Sequence, residues 1–332
     1  MPDQNLSALE NITLIPSNPN LFFSKNDAED PRLGDIFKHL PLTEQTTQQA
    51  LKPDDTVVVG YPDDDGIRLN GGRPGAAEAP RLIRQFLYKM TPPTKNKNNF
   101  YDLGDLEVKT DLPQRHEQAQ NLIHQLQLKK TRTVSLGGGH DYGFSDASGF
   151  VKAALELAPH EKPMVINFDA HLDVRPTKQG FNSGTSFYRL LSEYSNRIDF
   201  AEIGLQPQCN SVYHREWAEK MGATLFDFKD IHAGKIQNLF SHPFFKKLTK
   251  TTPVFVSFDI DCLSSSEAGG CSQSWATGLT VQECLDFLTE LYKLSNVRGL
   301  GVYEVSPPLD HDFKTSKTAA LLTYHFLFQG LT

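Results

Sequence analysis

The run Asn167-Phe168-Asp169-Ala170-His171-Leu172-Asp173 constrains this chain more than any other stretch. It follows directly on the apolar residues 163–166, which read as a buried strand. Alternate residues of an extended segment point to the same side. Asp169, His171 and Asp173 therefore leave the end of that strand together. An unpaired buried carboxylate costs several kcal/mol, so two in one small space require a cation. The apolar run 254–258 repeats the logic by ending in Asp259 and Asp261. A third run, Val134-Ser135-Leu136, closes on Gly137-Gly138-Gly139-His140. The set His140, Asp169, His171, Asp173, Asp259 and Asp261 offers enough ligands for two metal ions.

Strand-like and helix-like patterns alternate along the rest of the chain. Strands are expected at 56–60, 133–136, 164–168, 200–205, 224–228, 254–258 and 297–304. Helices are expected at 80–90, 114–128, 149–157, 187–194, 211–221, 281–294 and 316–328. Residues 63–66 read as an acidic turn, and 92–99 as a surface loop opened by two prolines. This alternation predicts an α/β fold: three αβα layers around a mainly parallel sheet. No linker or repeat divides residues 51–332, which read as a single catalytic domain. Residues 1–50 are polar and weakly patterned, and read as an irregular N-terminal extension. Ligands of open parallel sheets bind beyond the carboxyl ends of the strands, where each of the three motifs sits.

Composition narrows the partners. The 332 residues are 39% hydrophobic with a net charge of −7, which argues against nucleic acid. No apolar run approaches the ~20 residues of a membrane helix, so no membrane is expected. Met1-Pro2-Asp3-Gln4 lacks the basic and apolar regions of a secretory signal. Four cysteines are too few for a disulfide scaffold, so reduced thiols in the cytoplasm are expected. Cys262 and Cys271 flank a loop near the proposed metals and could pair only if that loop folds back.

The proposed ligand set mixes carboxylate with imidazole and contains no thiolate. That disfavours structural zinc and suits octahedral manganese, with iron or cobalt as alternatives. Four carboxylates balance two divalent ions and leave room for an activated water. The reaction class is then hydrolysis at an electrophilic carbon, or at phosphorus. Each motif also has a plainer reading. A lone Asp-x-Asp caps helices, a glycine triplet can be a flexible turn, and His140 can be a core histidine. Three such motifs at three strand ends favour the binuclear reading over all of these.

In this order and context the motifs resemble the ureohydrolase superfamily of arginase, agmatinase and formiminoglutamase, over residues 55–330. The resemblance implies two manganese ions per chain. His140, Asp169, Asp173 and Asp259 would hold one. Asp169, His171, Asp259 and Asp261 would hold the other, with Asp169 and Asp259 bridging. It further implies that Glu304, in Tyr303-Glu304-Val305-Ser306-Pro307-Pro308, receives the amidinium or guanidinium group; its plainer reading is a surface ion pair.

Four stretches are similar to the formiminoglutamase branch: residues 66–76 (GIRLNGGRPGA), 173–176 (DVRP), 183–187 (SGTSF) and 203–207 (IGLQP). Arginases carry a proton-shuttling histidine where this chain has Phe187. They carry an acidic pair where it has Gln206-Pro207-Gln208. The implied reaction is hydrolysis of N-formimino-L-glutamate to L-glutamate and formamide. Arg175, Ser183 and Glu304 are then candidates for substrate binding, and Asp261 and Glu304 for catalysis. Asp261 or a bound water would protonate the leaving amine. An internal salt bridge is the plainer reading of Arg175. The family's habit also implies a homo-oligomer. The alternatives are arginase or agmatinase activity on a guanidine, a catalytically silent binding subunit, and, more distantly, a zinc deacetylase. The loop 264–277 lacks the prolines usual after the second Asp-x-Asp, which bears on substrate identity.

Overall fold

β-branched and aromatic residues run through the centre of the sequence in short buried segments, and these become the strands. A computed structural model describes residues 12–41, 50–93 and 99–329. Its strands are β1 (Leu14–Ile15), β2 (Phe37–His39), β3 (Thr56–Gly60), β4 (Phe100–Leu106) and β5 (Arg132–Leu136). They continue as β6 (Met164–Phe168), β7 (Asp199–Leu205), β8 (Ala223–Asp227), β9 (Pro253–Asp259) and β10 (Asn296–Tyr303). All ten form one sheet in the order β1-β4-β3-β5-β10-β9-β6-β7-β8, with β2 also on β4. Every pairing is parallel except β1 with β4.

Alternation along each strand splits the core in two. Val58, Ile166, Val256 and Val302 face one cluster, with Ile83, Phe287 and Ala319 of the helices Ala79–Leu87, Val281–Leu294 and Lys314–Phe328. Val57, Val59, Val165 and Phe255 face the other, with Leu122, Phe150 and Leu190 of Leu112–Leu128, Tyr142–Leu157 and Ser186–Tyr194. Helices cover both faces, so the three-layer expectation holds.

Four expectations need correction. The 1–50 segment is not irregular throughout: β1 and β2 join the sheet through β4. Strands of two and three residues are too short to show periodicity. Residues 1–11 and 42–49 lie outside the described residues, as do 94–98 of the expected loop. β4 itself was missed because its sequence, FYDLGDL, carries two aspartates and a glycine. The helix expected to open at Gly149 opens at Tyr142, and all of its first ten residues are buried. Its glycines, serines and aspartate mimic a loop, yet Ser148 and Gly149 press against the Leu112–Leu128 helix, Gly143 lies against His140, and Asp146 accepts from the Tyr61 and Tyr303 hydroxyls. The Cβ of any residue replacing Gly149 would lie 2.5 Å from Gln120 O. The acidic turn continues into a short helix, Asp65–Leu69.

Strand register positions the site. Phe168 lies beside Phe258, Asp259 beside Tyr303, and Val302 beside Leu136. The neighbours β5, β10, β9 and β6 therefore end level with one another, and the residues that follow them converge.

Candidate metal centre and substrate cavity

Each ligand-bearing segment is held by its own backbone chemistry. After β6, the Asp169 Oδ1 accepts from the His171 amide at 2.6 Å, and Asn167 Nδ2 donates to Oδ2 at 3.2 Å. Asn210 latches the same turn: its Oδ1 accepts from Leu172 N at 2.9 Å and its Nδ2 donates to Ala170 O at 2.8 Å. After β9, Asp259 Oδ1 accepts from Asp261 N at 2.9 Å. After β5, the glycine turn packs so tightly that a Cβ on Gly138 would lie 1.7 Å from Asp63 O. Asp173 and Glu304 sit in the left-handed region at φ 48° and 64°. Such a conformation costs a non-glycine residue about 1–3 kcal/mol and persists where the surroundings enforce it.

The six residues expected as ligands form two adjoining groups. His140, Asp169, Asp173 and Asp259 make the first; Asp169, His171 and Asp261 make the second. His140 Nδ1 stands 3.1 Å from Asp169 Oδ2, 3.1 Å from Asp173 Oδ2 and 3.0 Å from Asp259 Oδ2. His171 Nδ1 lies 3.0 Å from Asp261 Oδ2 and 3.4 Å from Asp169 Oδ1. Asp169 thus turns one oxygen to each group. Asp259 Oδ2 faces His140 in the first group. Its other oxygen faces the turn that carries Asp261.

The donor set fits a divalent cation. His140 Nε2 meets Ser257 Oγ at 2.8 Å. The tautomer with its proton on Nε2 leaves Nδ1 as a lone pair among three carboxylate oxygens. That nitrogen is buried and has no hydrogen-bond partner among the described residues. A lone pair facing three anionic oxygens is unfavourable without a cation between them.

Titration behaviour carries the same signature. Burial, then Asp261 and Asp169, pushes the Asp259 carboxyl well above its ordinary value. Asp173 is pushed up to about 6 by burial and by Asp169. Burial opposes a charged His140, yet the carboxylates of Asp169, Asp173 and Asp259 hold its pKa well above the ordinary value, so without a metal ion a proton on Nδ1 takes the cation's place. Glu304 is raised to about 8, chiefly by burial. A carboxylate cluster this short of positive charge retains protons that a divalent ion would displace.

Above the groups opens a cavity of about 410 Å³, lined by His171, Asp173, Asp259, Asp261 and Glu304 on the acidic side. Arg175 and Ser183 line it too, so the expected substrate residues share one space with the ligands. Arg175 is the one lysine or arginine among the described lining residues. It makes no salt bridge to a ligand aspartate; its Nη1 donates to Asn70 Oδ1 at 2.9 Å. Glu304 is no surface ion pair: it is buried, and its Oε1 accepts from the His140 amide at 3.0 Å. Phe187 is buried edge-on against the His140 ring at 5.4 Å. Gln206 ties down the loop 264–277, exchanging hydrogen bonds with Thr277 at 3.0 and 2.7 Å. That loop walls the cavity through Ser272, Gln273 and Trp275. All four cysteines are free, so Cys262 and Cys271 do not pair.

Sequence reasoning missed Asn70, Asn210 and His214 on the cavity wall. Asn70 lay inside a stretch singled out for its resemblance, but an asparagine in a glycine-rich run reads as a turn residue. Nothing marked His214, on the helix Val212–Lys220, as facing a cavity.

Comparison with known proteins agrees with this geometry. A sequence profile described as the arginase family matches residues 54–329. A formimidoylglutamase of Fusobacterium nucleatum is 30% identical over 281 residues, covering 82% of this chain and 85% of that protein. One from Legionella pneumophila is 28% identical, covering 94% of this chain and 96% of the relative. The crystal structure of formimidoylglutamase from Bacillus subtilis superposes with a TM-score of 0.79 at 26% identity, covering 93% of this chain and 95% of that one. That of Trypanosoma cruzi formiminoglutamase with Mn2+ gives 0.75 at 28% identity, covering 90% and 98%. With the motifs, the strand-end geometry and a profile match spanning most of its length, this chain belongs to the arginase family.

Proposed function

We propose that this protein is a binuclear manganese hydrolase of linear amidines that converts N-formimino-L-glutamate and water to L-glutamate and formamide. One observation carries the reading: the cavity is bipolar. Its floor holds Asp173, Asp259, Asp261 and Glu304, and its wall holds Arg175. A substrate with a cationic amidinium at one end and a carboxylate at the other matches that polarity. Agmatine has no carboxylate for Arg175. The relatives from Fusobacterium, Legionella and Bacillus bear the corresponding name, and the Trypanosoma structure holds manganese. A homo-oligomer belongs to the same reading, and light scattering on the purified protein checks it.

His140, Asp169, Asp173 and Asp259 would hold one ion, and Asp169, His171, Asp259 and Asp261 the other. Bound there, the ions supply Lewis acidity and a water nucleophile at neutral pH. The chain's own residues do the rest. Glu304, fixed by the His140 amide, accepts the amidinium N–H groups and holds the formimino carbon over the floor. Its charge is restored when cations enter the site. Water adds to that carbon, the C–N bond to the glutamate nitrogen breaks, and the leaving amine takes up a proton. Asp261, on the cavity floor beside His171, would hand it over. Arg175 and Ser183 orient the carboxylate.

A side-by-side turnover assay of formiminoglutamate, arginine, agmatine and guanidinobutyrate with manganese tests the reading. Formiminoglutamate is expected to react best. Arginine reacting best, with formiminoglutamate inert, would refute the assignment. Arg175→Ala is expected to raise KM for formiminoglutamate about tenfold or more, the value of a lost charge-assisted pair.

A further inference from the structure

Asn70 caps the short helix Asp65–Leu69 and stands on the cavity wall between Arg175 and Ser183. Its Oδ1 accepts from Arg175 Nη1 at 2.9 Å, and its Nδ2 donates to Ser183 Oγ at 3.1 Å. The amide orientation follows from chemistry. A guanidinium only donates, so the carbonyl oxygen must face it.

Two consequences follow for a ligand. Arg175 Nη1 is engaged by Asn70, and among the described residues neither Nε nor Nη2 has a hydrogen-bond partner. Those two form the edge of the fork that matches a carboxylate. Ser183 Oγ receives a hydrogen bond from Asn70, so its own proton is free to be donated.

The arrangement is built in. Gly184 leaves the space: a Cβ there would lie 2.9 Å from Arg175 Cδ and 3.1 Å from Asn70 Nδ2. Arg73 binds the segment after Asn70 to the far wall, donating to Cys271 O at 3.0 Å and Ser272 O at 2.8 Å. The helix before it is held from below by Arg115, whose Nη2 meets Asp65 Oδ2 at 2.6 Å.

We propose that Asn70 is a positioning residue that sets substrate specificity, aligning Arg175 and Ser183 as one three-donor seat for a substrate carboxylate. The proposal rests on the reading of the site as acting on a carboxylate-bearing amidine.

The test compares wild type, Asn70→Ala and Asn70→Asp, all loaded with manganese. Metal content and Tm are checked for each. With N-formimino-L-glutamate, Asn70→Ala is expected to raise KM about tenfold and leave kcat within about threefold. Asn70→Asp is expected to raise KM further. Its new carboxylate engages Arg175 and repels the substrate's, although aspartate is the closer isostere. A residue that only supported the fold would show the reverse order, with alanine worse. Unchanged KM in both variants, kcat loss without KM change, or alanine worse than aspartate overturns the proposal and leaves the function standing. A wild type inert on formiminoglutamate overturns the function instead. The seat is then judged by calorimetry with L-glutamate. Affinity lost in Asn70→Asp upholds it; affinity equal in all three proteins, or no binding by wild type, overturns it.

Discussion

Two buried clusters of charge in this molecule have opposite designs. Beside β4, Arg84 is fully buried and balances the fully buried Asp102, with the partly exposed Asp105 on its third nitrogen. Its Nε and Nη2 each meet Asp102 at 3.0 Å, and its Nη1 meets Asp105 at 2.6 Å. Gly104 O accepts a further bond at 2.9 Å, and the Tyr88 hydroxyl donates to Asp102 at 2.6 Å. At the ends of β5, β6 and β9, four aspartates converge on two imidazoles, and among the described residues their ion pairs run to those imidazoles rather than to a lysine or arginine. The first cluster is closed: its cation is covalently part of the chain. The second is open, with anionic oxygens in excess around an unpartnered nitrogen. Burial is common to both, so burial alone does not mark a functional site. The unbalanced charge does.

The comparison breaks most visibly under single substitutions. Asp259→Ala at the open cluster is expected to cut turnover on the order of 10³-fold or more, by removing a metal ligand. The metal-free protein should lose no stability, because one of several crowded carboxylates is gone. Arg84→Met at the closed cluster is expected to do the reverse. It leaves Asp102 buried without its cation and costs about 3–5 kcal/mol in denaturant unfolding. If Asp259→Ala unfolded the metal-free protein as Arg84→Met does, the two clusters would not differ in kind.

A smaller effect sharpens the picture at one residue. Ser257→Ala removes the partner of His140 Nε2 and should weaken metal affinity about 10–100-fold, as outer partners of ligating histidines do. Competition with a fluorescent chelator measures it. Affinity equal to wild type would show that the stacked Tyr303 ring, 5.0 Å from His140, orients the imidazole by itself.

The smallest and most diagnostic effect is on pH. Asp173, at about 6, and Glu304, at about 8, are raised in the folded metal-free protein above 3.8 and 4.5. The folded state therefore binds more protons than the unfolded one between those values. Their contribution to stability is present at low pH and declines as pH rises through roughly 4 to 8. Manganese replaces the protons, so its stabilising shift in Tm should grow over the same interval. A manganese-induced shift of constant size from pH 4 to 8 would mean that these carboxyls do not hold the protons.

Much of the fold was legible because it is locally encoded. Thr56–Gly60, Met164–Phe168 and Val281–Leu294 fall where periodicity places them. The failures share a cause. β4 carries Asp102 and Asp105, which read as loop until Arg84 is brought across to them. The first half of the Tyr142–Leu157 helix is rich in glycine, serine and aspartate because these residues meet His140, buried tyrosines and a second helix, and no propensity scale records that.

By itself the sequence determined which side chains could ligate metal and that each would leave the end of a strand, since an apolar run and the polar residues after it are neighbours in the chain. Tertiary structure alone decided the rest. The order β5-β10-β9-β6 brings four strand ends together, and Glu304 reaches the amide of a residue 164 positions away. It joined Asn70 to Arg175 across 105 residues. Such pairings depend on which strands become neighbours and how loops fold over their ends, and that depends on the packing of the whole core rather than on any local run of residues.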